Sequence, residues 1–148
     1  MEIVLLVVGD TQEVYVKEGL AHFLPRIQRY GKFSIHAVAN RDKQLDALKS
    51  GDLLVLLDER GKTYTSNGFA AQCQKWMNQG PKRLVFAVGD AYGFSEDFRA
   101  QAQSSMALGL MTFPHDLVRL LFAEQLYRAW TILNNEPYHH REIGRAHV

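Results

Sequence analysis

The C-terminal segment Glu136-Pro137-Tyr138-His139-His140-Arg141 carries the densest group of side chains able to do chemistry. A phenol, two imidazoles and a guanidinium can donate or accept hydrogen bonds, and imidazole can move a proton near neutral pH. Adjacent histidines near a chain end are most often solvated, and the remaining histidines show no metal-ligand spacing. We therefore predict no metal site, and we treat this tail as a candidate for contact with a substrate.

Arg119 is a second candidate, because its position conflicts with its charge. A long helical pattern follows Pro114, and at about 100° per residue Arg119 lies between the directions of Leu126 and Trp130, inside the apolar sector. A charge there costs free energy unless it is paired, reaches water, or faces a ligand or another subunit. Two interpretations stay open: a first-turn arginine whose head reaches water, or a contact to an anion or substrate at a site edge or dimer interface.

The elements that must position these groups alternate along the chain. Runs of apolar residues, such as Ile3–Val8 and Leu84–Val88, have strand length, and their continuity is typical of strands covered on both faces. Helical patterns separate them, so we predict an α/β fold with a mostly parallel sheet and helices on both faces. Predicted strands cover 3–8, 33–39, 53–57, 84–88 and 107–110, and predicted helices cover 11–30, 43–49, 66–79 (capped by Ser66), 95–104 and the segment from Pro114 to Leu133.

Three predicted strand ends are rich in glycine, which lets a backbone approach a ligand closely. They are Leu57–Gly61, Gly89–Gly93 and Leu108–Pro114. Ligands of open parallel sheets bind at the carboxyl ends of the strands, so these loops are either a binding site or simple turns. The first strand ends in Gly9 alone, so a dinucleotide fingerprint is absent, as is a phosphate-binding P-loop.

Composition sets further bounds. The chain has 148 residues, is 47% hydrophobic and carries a formal net charge of +1, so it predicts one globular domain with no strong electrostatic case for nucleic acid. A single cysteine, Cys73, excludes an internal disulfide and is predicted to be inert core. The first apolar run is too short for a membrane span or a signal peptide, so we expect a cytoplasmic protein.

Nucleophilic catalysis and phosphoryl acceptance by an aspartate are less well supported by the sequence. No Ser-His-Asp or Cys-His arrangement is evident. Asp58 after the third strand and Asp10 after the first are similar to the layout of a receiver domain with an aspartate phosphoacceptor. Thr11 stands where such a layout needs a second acid, and no lysine follows the last strand. A receiver-like signalling module and a non-catalytic ligand-binding module are the alternatives to an enzyme.

The segment TFPHDLVRLLFAEQLYRAWTILNNEPYHH (Thr112 to His140) closely resembles the C-terminal signature of one bacterial family. This family is the ribosomal large-subunit pseudouridine N3-methyltransferases, the RlmH type within the SPOUT, or α/β-knot, superfamily. The resemblance extends through VLLDERGK (Val55 to Lys62) and AVGDAYGFSE (Ala87 to Glu96). It implies a C-terminal trefoil knot, a homodimer and S-adenosyl-L-methionine as cofactor. The implied domain covers residues 1–141, and 142–148 extend beyond it.

The resemblance also implies a cofactor pocket at the three strand ends, formed by Leu57, Gly89, Leu108, Gly109, Leu110, Met111, Thr112 and Phe113. Adenine and a sulfonium cation need apolar walls and backbone hydrogen bonds rather than phosphate donors. Two departures matter: Asp90 replaces a frequent second glycine, and Gly109-Leu110 replace a frequent Ser-Ala pair.

The implied reaction is methyl transfer to N3 of a pseudouridine in 23S rRNA, on the assembled ribosome. The sulfonium already activates the methyl group, so the protein must align the reactants and remove the N3 proton. Tyr138 and His139 are predicted to be catalytic on the substrate side, and Arg119 is predicted to stabilise charge or anchor substrate. Arg141 completes the predicted substrate-binding set.

Overall fold

The computed structural model describes residues 1–139 as one α/β layer structure. The strands are Glu2–Val8 (β1), Lys32–Val38 (β2), Asp52–Thr63 (β3), Arg83–Val88 (β4) and Ser104–Ala107 (β5). The helices are Val14–Gln28 (α1), Lys43–Asp46 (α2), Ser66–Asn78 (α3), Glu96–Arg99 (α4) and His115–Leu133 (α5). Within residues 1–139, no helix is long and apolar enough to cross a membrane.

The sheet has the strand order β2-β1-β4-β3-β5, and all its strand pairs are parallel. Leu5 of β1 lies opposite Ile35 on one side and Phe86 on the other, so the apolar runs occupy the centre of the sheet. Side chains alternate between two cores, one under α1, α3 and α5 and a smaller one that contains Phe94 and Phe98. The predicted parallel α/β fold with helices on both faces is confirmed.

Helix α5 lies between α1 and α3 and is covered on most of its surface. Phe122 packs against Phe86 of β4 with ring centroids 4.6 Å apart. Gly19 of α1 allows the close approach of α5, because a Cβ there would come within 2.5 Å of Leu120. From residue 116 to 133 every residue of α5 is buried or half-buried, as its wide apolar surface predicts.

Several predicted element boundaries are wrong. The fifth strand lies at 104–107, upstream of the predicted 107–110, and α4 spans four residues instead of about ten. Helix α3 is capped by Thr65, whose hydroxyl accepts from the Gly68 N–H, whereas Ser66 donates to Gln125 of α5. The position of β5 and the role of Ser66 follow from contacts with β3 and with α5, which local patterns do not contain.

β3 is much longer than the predicted 53–57, because it continues beyond a bulge along β5. Leu57 and Lys62 both lie opposite Met106, so the four residues between them loop out. Gly61 lies directly on the backbone of β5, and a Cβ there would come within 2.6 Å of the Met106 nitrogen. This contact holds the 58–61 bulge around the strand. The trefoil knot itself stays a prediction.

Candidate cofactor cleft and C-terminal tail

A cleft of about 690 Å³ opens at the carboxyl ends of β3, β4 and β5. This volume is in the range of sites for small ligands. Its apolar walls include Leu57, Val88, Leu108, Phe113 and Val118. Seven of the eight residues predicted to bind a cofactor line it: Leu57, Gly89, Leu108, Gly109, Met111, Thr112 and Phe113. Leu110, the eighth, does not line the cleft and has 92% of its surface exposed.

One wall of the cleft offers free backbone groups. Within the described chain, residues 109–113 belong to no strand or helix and make no backbone–backbone hydrogen bond. Their N–H and C=O groups are therefore available to a ligand, since half-exposed backbone groups need a partner in water or in a ligand. The space around Gly109 is open: a Cβ built there would make only an ordinary contact with the Phe113 ring, at 3.7 Å.

The opposite wall is a tight turn from Gly89 to Gly93. Asp90 and Gly93 exchange two backbone hydrogen bonds, of 3.3 and 3.0 Å, and Gly93 takes a φ of +86°. The Asp90 carboxylate accepts from the Tyr92 N–H at 2.8 Å, so it closes its own turn. No described non-glycine residue other than Asn135 has a positive φ, so the turn does not require a glycine at position 90.

Charged side chains line the rim of the cleft, and sequence reasoning did not assign them to the site. Arg99 donates to Asp58 at 2.7 Å, and the Thr112 hydroxyl donates to Glu59 at 2.9 Å across the cleft mouth. Burial alone would raise the pKa of Asp58, but hydrogen bonds from the Arg60 N–H and Arg99 lower it below its usual value. Asp58 and Glu59 lie in the DERG segment, which also carries the family resemblance, and that resemblance could have indicated their place at the site.

The pairing of Asp58 disfavours the receiver-like alternative. A phosphoacceptor carboxylate must be open to its phosphoryl donor, whereas Asp58 already accepts from Arg99 and from the Arg60 backbone. Among residues 1–139, no group of three or more metal-ligating side chains is close enough to hold an ion. Cys73 is buried, and burial raises the pKa of its thiol, so the predicted inert core position is confirmed.

Arg119 is almost fully buried, with 1% of its surface exposed, so the interpretation that its head reaches water is wrong. Its guanidinium donates to the Val8 carbonyl at 2.8 Å and to the Thr11 hydroxyl at 3.0 Å, and it forms an ion pair with Asp116 at 3.9 Å. Asp116 in turn accepts from the N–H groups before α1, including that of Glu13. Arg119 therefore joins the end of β1 to the first turn of α5, next to Val118 of the cleft wall.

The tail folds back onto the middle of α5. The Tyr138 hydroxyl donates to Glu124 at 2.9 Å, and the same carboxylate accepts from Arg128 at 2.6 Å. The Arg128 guanidinium lies over the Tyr138 ring, 4.8 Å from its centroid. Neither Glu124 nor Arg128 was assigned to the site from the sequence, although their i, i+4 spacing on one helix face predicts an ion pair.

Arg128 also determines the tautomer of His139, whose imidazole is predicted to be catalytic. Its Nη1 lies 3.1 Å from Nδ1 of His139. A guanidinium has only donors, so Nδ1 accepts in this contact and the proton of the neutral ring is on Nε2. His139 is thus held as a hydrogen-bond donor through Nε2.

The structure does not bring the tail and the cleft of one chain together. The cleft meets α5 at His115 and Val118, while the tail contacts it at Glu124 and Arg128. Six residues of helix separate the nearest of these, about 9 Å at 1.5 Å per residue. Neither Tyr138 nor His139 lines the cleft, nor does Arg119. Arg141 lies outside the described residues.

This chain is similar in fold to a solved structure described as a probable methylase family protein from Haemophilus influenzae Rd KW20. It covers 90% of this chain and 66% of its own, with a TM-score of 0.52 and 11% identity, and so shares the fold. A sequence profile described as "Predicted SPOUT methyltransferase" matches residues 1–139. The class defined by fold and sequence is therefore that of the SPOUT methyltransferases.

Two curated relatives narrow this class. One is a "Ribosomal RNA large subunit methyltransferase H" of Parabacteroides distasonis, 43% identical over 95% of this chain and 99% of its own length. Another of the same name, from Geobacter sp. (strain M21), is 43% identical with the same coverage. The chain belongs to the SPOUT methyltransferase family and, within it, to the ribosomal RNA large subunit methyltransferase H group.

Proposed function

We propose that this enzyme transfers a methyl group from S-adenosyl-L-methionine to N3 of a pseudouridine in 23S rRNA. The observation that carries the proposal is the full-length similarity to relatives named as large-subunit rRNA methyltransferases. The cleft at the strand ends supplies a place for the methyl donor, and the polar tail supplies groups for the nucleotide. From a ribosomal substrate we also infer a cytoplasmic location.

The cleft residues fit the cofactor. The pocket wall formed by Leu57, Gly89 and 108–113 combines apolar side chains with backbone groups that no other backbone group uses. Aliphatic walls suit an adenine ring, and free carbonyl and N–H groups suit its edge. When bound, the cofactor supplies a methyl group on a cationic sulfonium, already activated for transfer. Leu110 contributes through its backbone at most, since its side chain points to solvent.

We propose that the functional unit is a homodimer. Tyr138 and His139 lie against α5, some 9 Å or more from the cleft of their own chain, so one chain does not place them beside its own methyl donor. The proposed dimer is a symmetric pair that joins through this side of α5 and sets each tail beside the cleft of the partner. The reaction then needs residues from two chains.

The tail residues would act on the substrate. As the new N3–C bond forms, the C–S bond of the methyl donor would break and the N3 proton would pass to solvent water, and the negative charge that develops on the base spreads to the flanking carbonyl oxygens. His139 is held with its proton on Nε2, which suits donation to such an oxygen rather than removal of the N3 proton. Tyr138 and Arg141 complete the substrate side.

Arg119 has a different part in the proposal. Its buried guanidinium joins Val8 and Thr11 to α5, which supports a positioning role for the β1–α1 loop beside the cleft. A direct contact with substrate would require the loop to open. The near-neutral net charge suits recognition of the assembled ribosomal surface rather than free RNA, because few phosphates are neutralised.

The test is methyl transfer to ribosomes from a strain that lacks the modification, with labelled cofactor and mapping of the modified base. The wild type is compared with His139→Ala and with His36→Ala, a control at an exposed histidine of β2. We expect His139→Ala to lose about tenfold to hundredfold in rate and the control to keep it. If the wild type is active and both His139→Ala and Arg119→Ala keep its full activity, the assignment of these residues to the site is refuted. The assignment of the chain to its family would still stand.

A further inference from the structure

The reversal of the chain after α5 is built from local contacts. The helical hydrogen bonding ends at Asn134, whose N–H donates to the Trp130 carbonyl, and Asn135 adopts a φ of +56°. The Glu136 N–H then donates back to the Thr131 carbonyl at 2.8 Å. This end of α5 turns the chain towards α1.

The Glu136 side chain contacts Tyr30, which lies 106 residues earlier in the sequence. The Tyr30 hydroxyl, just beyond α1, donates to the Glu136 carboxylate at 2.6 Å. The Tyr30 ring is stacked on Trp130 of α5, with an interplanar angle of 2° and centroids 5.6 Å apart. The stack fixes the direction of the phenol, so the hydrogen bond holds Glu136 at a defined point.

The same tyrosine belongs to an aromatic row that reaches the tail. Tyr30 lies 6.4 Å from Tyr127, and Tyr127 lies 4.9 Å edge-on from Tyr138. Burial, then the hydrogen bond to Glu136, raises the pKa of Tyr30 to about 12. The phenol therefore keeps its proton and remains a donor throughout the neutral range.

We propose that Tyr30 and Glu136 form a clasp that positions the tail for catalysis. The inference rests on the proposed function, in which Tyr138 and His139 act on the nucleotide. Two residues of chain span at most about 7 Å, so a fixed Glu136 confines Tyr138 to a small volume. Without the clasp, Glu136 would lose its side-chain contact with Tyr30, and fewer molecules would present His139 in the reactive arrangement.

The test variant is Tyr30→Phe, which keeps the stack on Trp130 and removes one hydroxyl. Tyr15→Phe makes the same change at an exposed tyrosine of α1 and is the matched control. We expect Tyr30→Phe to lower the single-turnover rate at saturating ribosomes about tenfold, the equivalent of one charge-assisted hydrogen bond. Its dissociation constant for S-adenosyl-L-methionine, measured by calorimetry, should stay within about twofold of wild type, because the cleft is untouched.

Two substitutions of Glu136, the hydrogen-bond partner of Tyr30, separate a positioning role from an effect on stability. Glu136→Gln keeps an acceptor oxygen and should retain most of the rate, whereas Glu136→Ala should behave like Tyr30→Phe. Hydrogen exchange of residues 134–139 should be faster in Tyr30→Phe and Glu136→Ala but not in Tyr15→Phe.

The inference is overturned if Tyr30→Phe turns over at the wild-type rate at saturation, even with a lower melting temperature. It is also overturned if hydrogen exchange in the tail is unchanged. A wild-type protein inactive on ribosomes would defeat the proposed function instead, and hydrogen exchange would still decide whether the clasp orders the tail.

Discussion

Gly89 gives the sharpest test of the cofactor cleft. A Cβ at this position would lie 2.7 Å from the Gly93 oxygen and 2.8 Å from its carbonyl carbon. Both are backbone atoms of the turn that forms one cleft wall, so no flexible side chain can move aside. The φ of Gly89 is not positive, so Gly89→Ala changes the sterics of the turn without backbone strain of its own.

The size of the effect follows from these distances. Carbon and oxygen atoms without a bond between them rest at about 3.5 Å, so Gly93 would have to move by roughly 0.8 Å. That shift opens one or both of the hydrogen bonds between Asp90 and Gly93, and overpacking of this kind costs about 1–3 kcal/mol. The bound cofactor needs this wall in its original place, and 1.4 kcal/mol is tenfold in affinity, so Gly89→Ala should weaken cofactor binding by about 5-fold to 140-fold.

Gly109→Ala is the matched control, because it adds the same methyl group to the opposite wall. Its Cβ would meet only the Phe113 ring, at 3.7 and 3.8 Å, which is ordinary contact. Calorimetric titration with S-adenosyl-L-methionine should give a dissociation constant within about threefold of wild type for Gly109→Ala. Equal affinity of Gly89→Ala and wild type, or equal loss in both variants, would refute the steric argument.

Two further changes test the sheet that carries the cleft. Gly61→Ala brings a Cβ within 2.6 Å of β5 backbone, so it should cost about 1–3 kcal/mol and lower the melting temperature by about 3–9 °C; an unchanged melting temperature would contradict this. Burial alone would raise the pKa of Asp52, but hydrogen bonds from Arg83 and from the Lys49 N–H lower it, so its contribution to stability is complete above about pH 4 and is lost as pH falls through the folded value. Asp52→Asn should therefore lower the melting temperature more at pH 7 than at pH 2.5, and equal losses at both would contradict the ion pair.

The fold was predictable because its signal is local. Continuous apolar runs specify strands buried on both faces, and the residues between them repeat at helical spacing. The end of β3 was not predictable in the same way. Residues 58–63 are polar and contain Gly61, so they read as a loop, and they become strand only because β5 pairs with them beyond the bulge. That pairing joins segments more than 40 residues apart, which no local pattern encodes.

Arg119 shows how far a local pattern leads at a site. Helical periodicity places it in the apolar sector of α5, and burial is the correct consequence. Its partners lie 108 and 111 residues away, at Thr11 and Val8, so the sequence left open a head that reaches water or a contact to a ligand and did not reveal this pairing. The loops at Gly89 and 108–113 were easier to predict as parts of one cleft, because the carboxyl ends of parallel strands must share one edge of the sheet.

Helix α5 determines how the two halves of the site depend on each other. Its first turn closes the cleft at Val118, and its middle holds the tail through Glu124 and Arg128, along one uninterrupted helix of 19 residues. A rigid helix transmits orientation but needs no change of shape when a ligand binds at one end. Changes confined to the tail should therefore alter the rate of methyl transfer while cofactor affinity stays constant, and changes that displace a wall of the cleft, such as Gly89→Ala, should do the reverse.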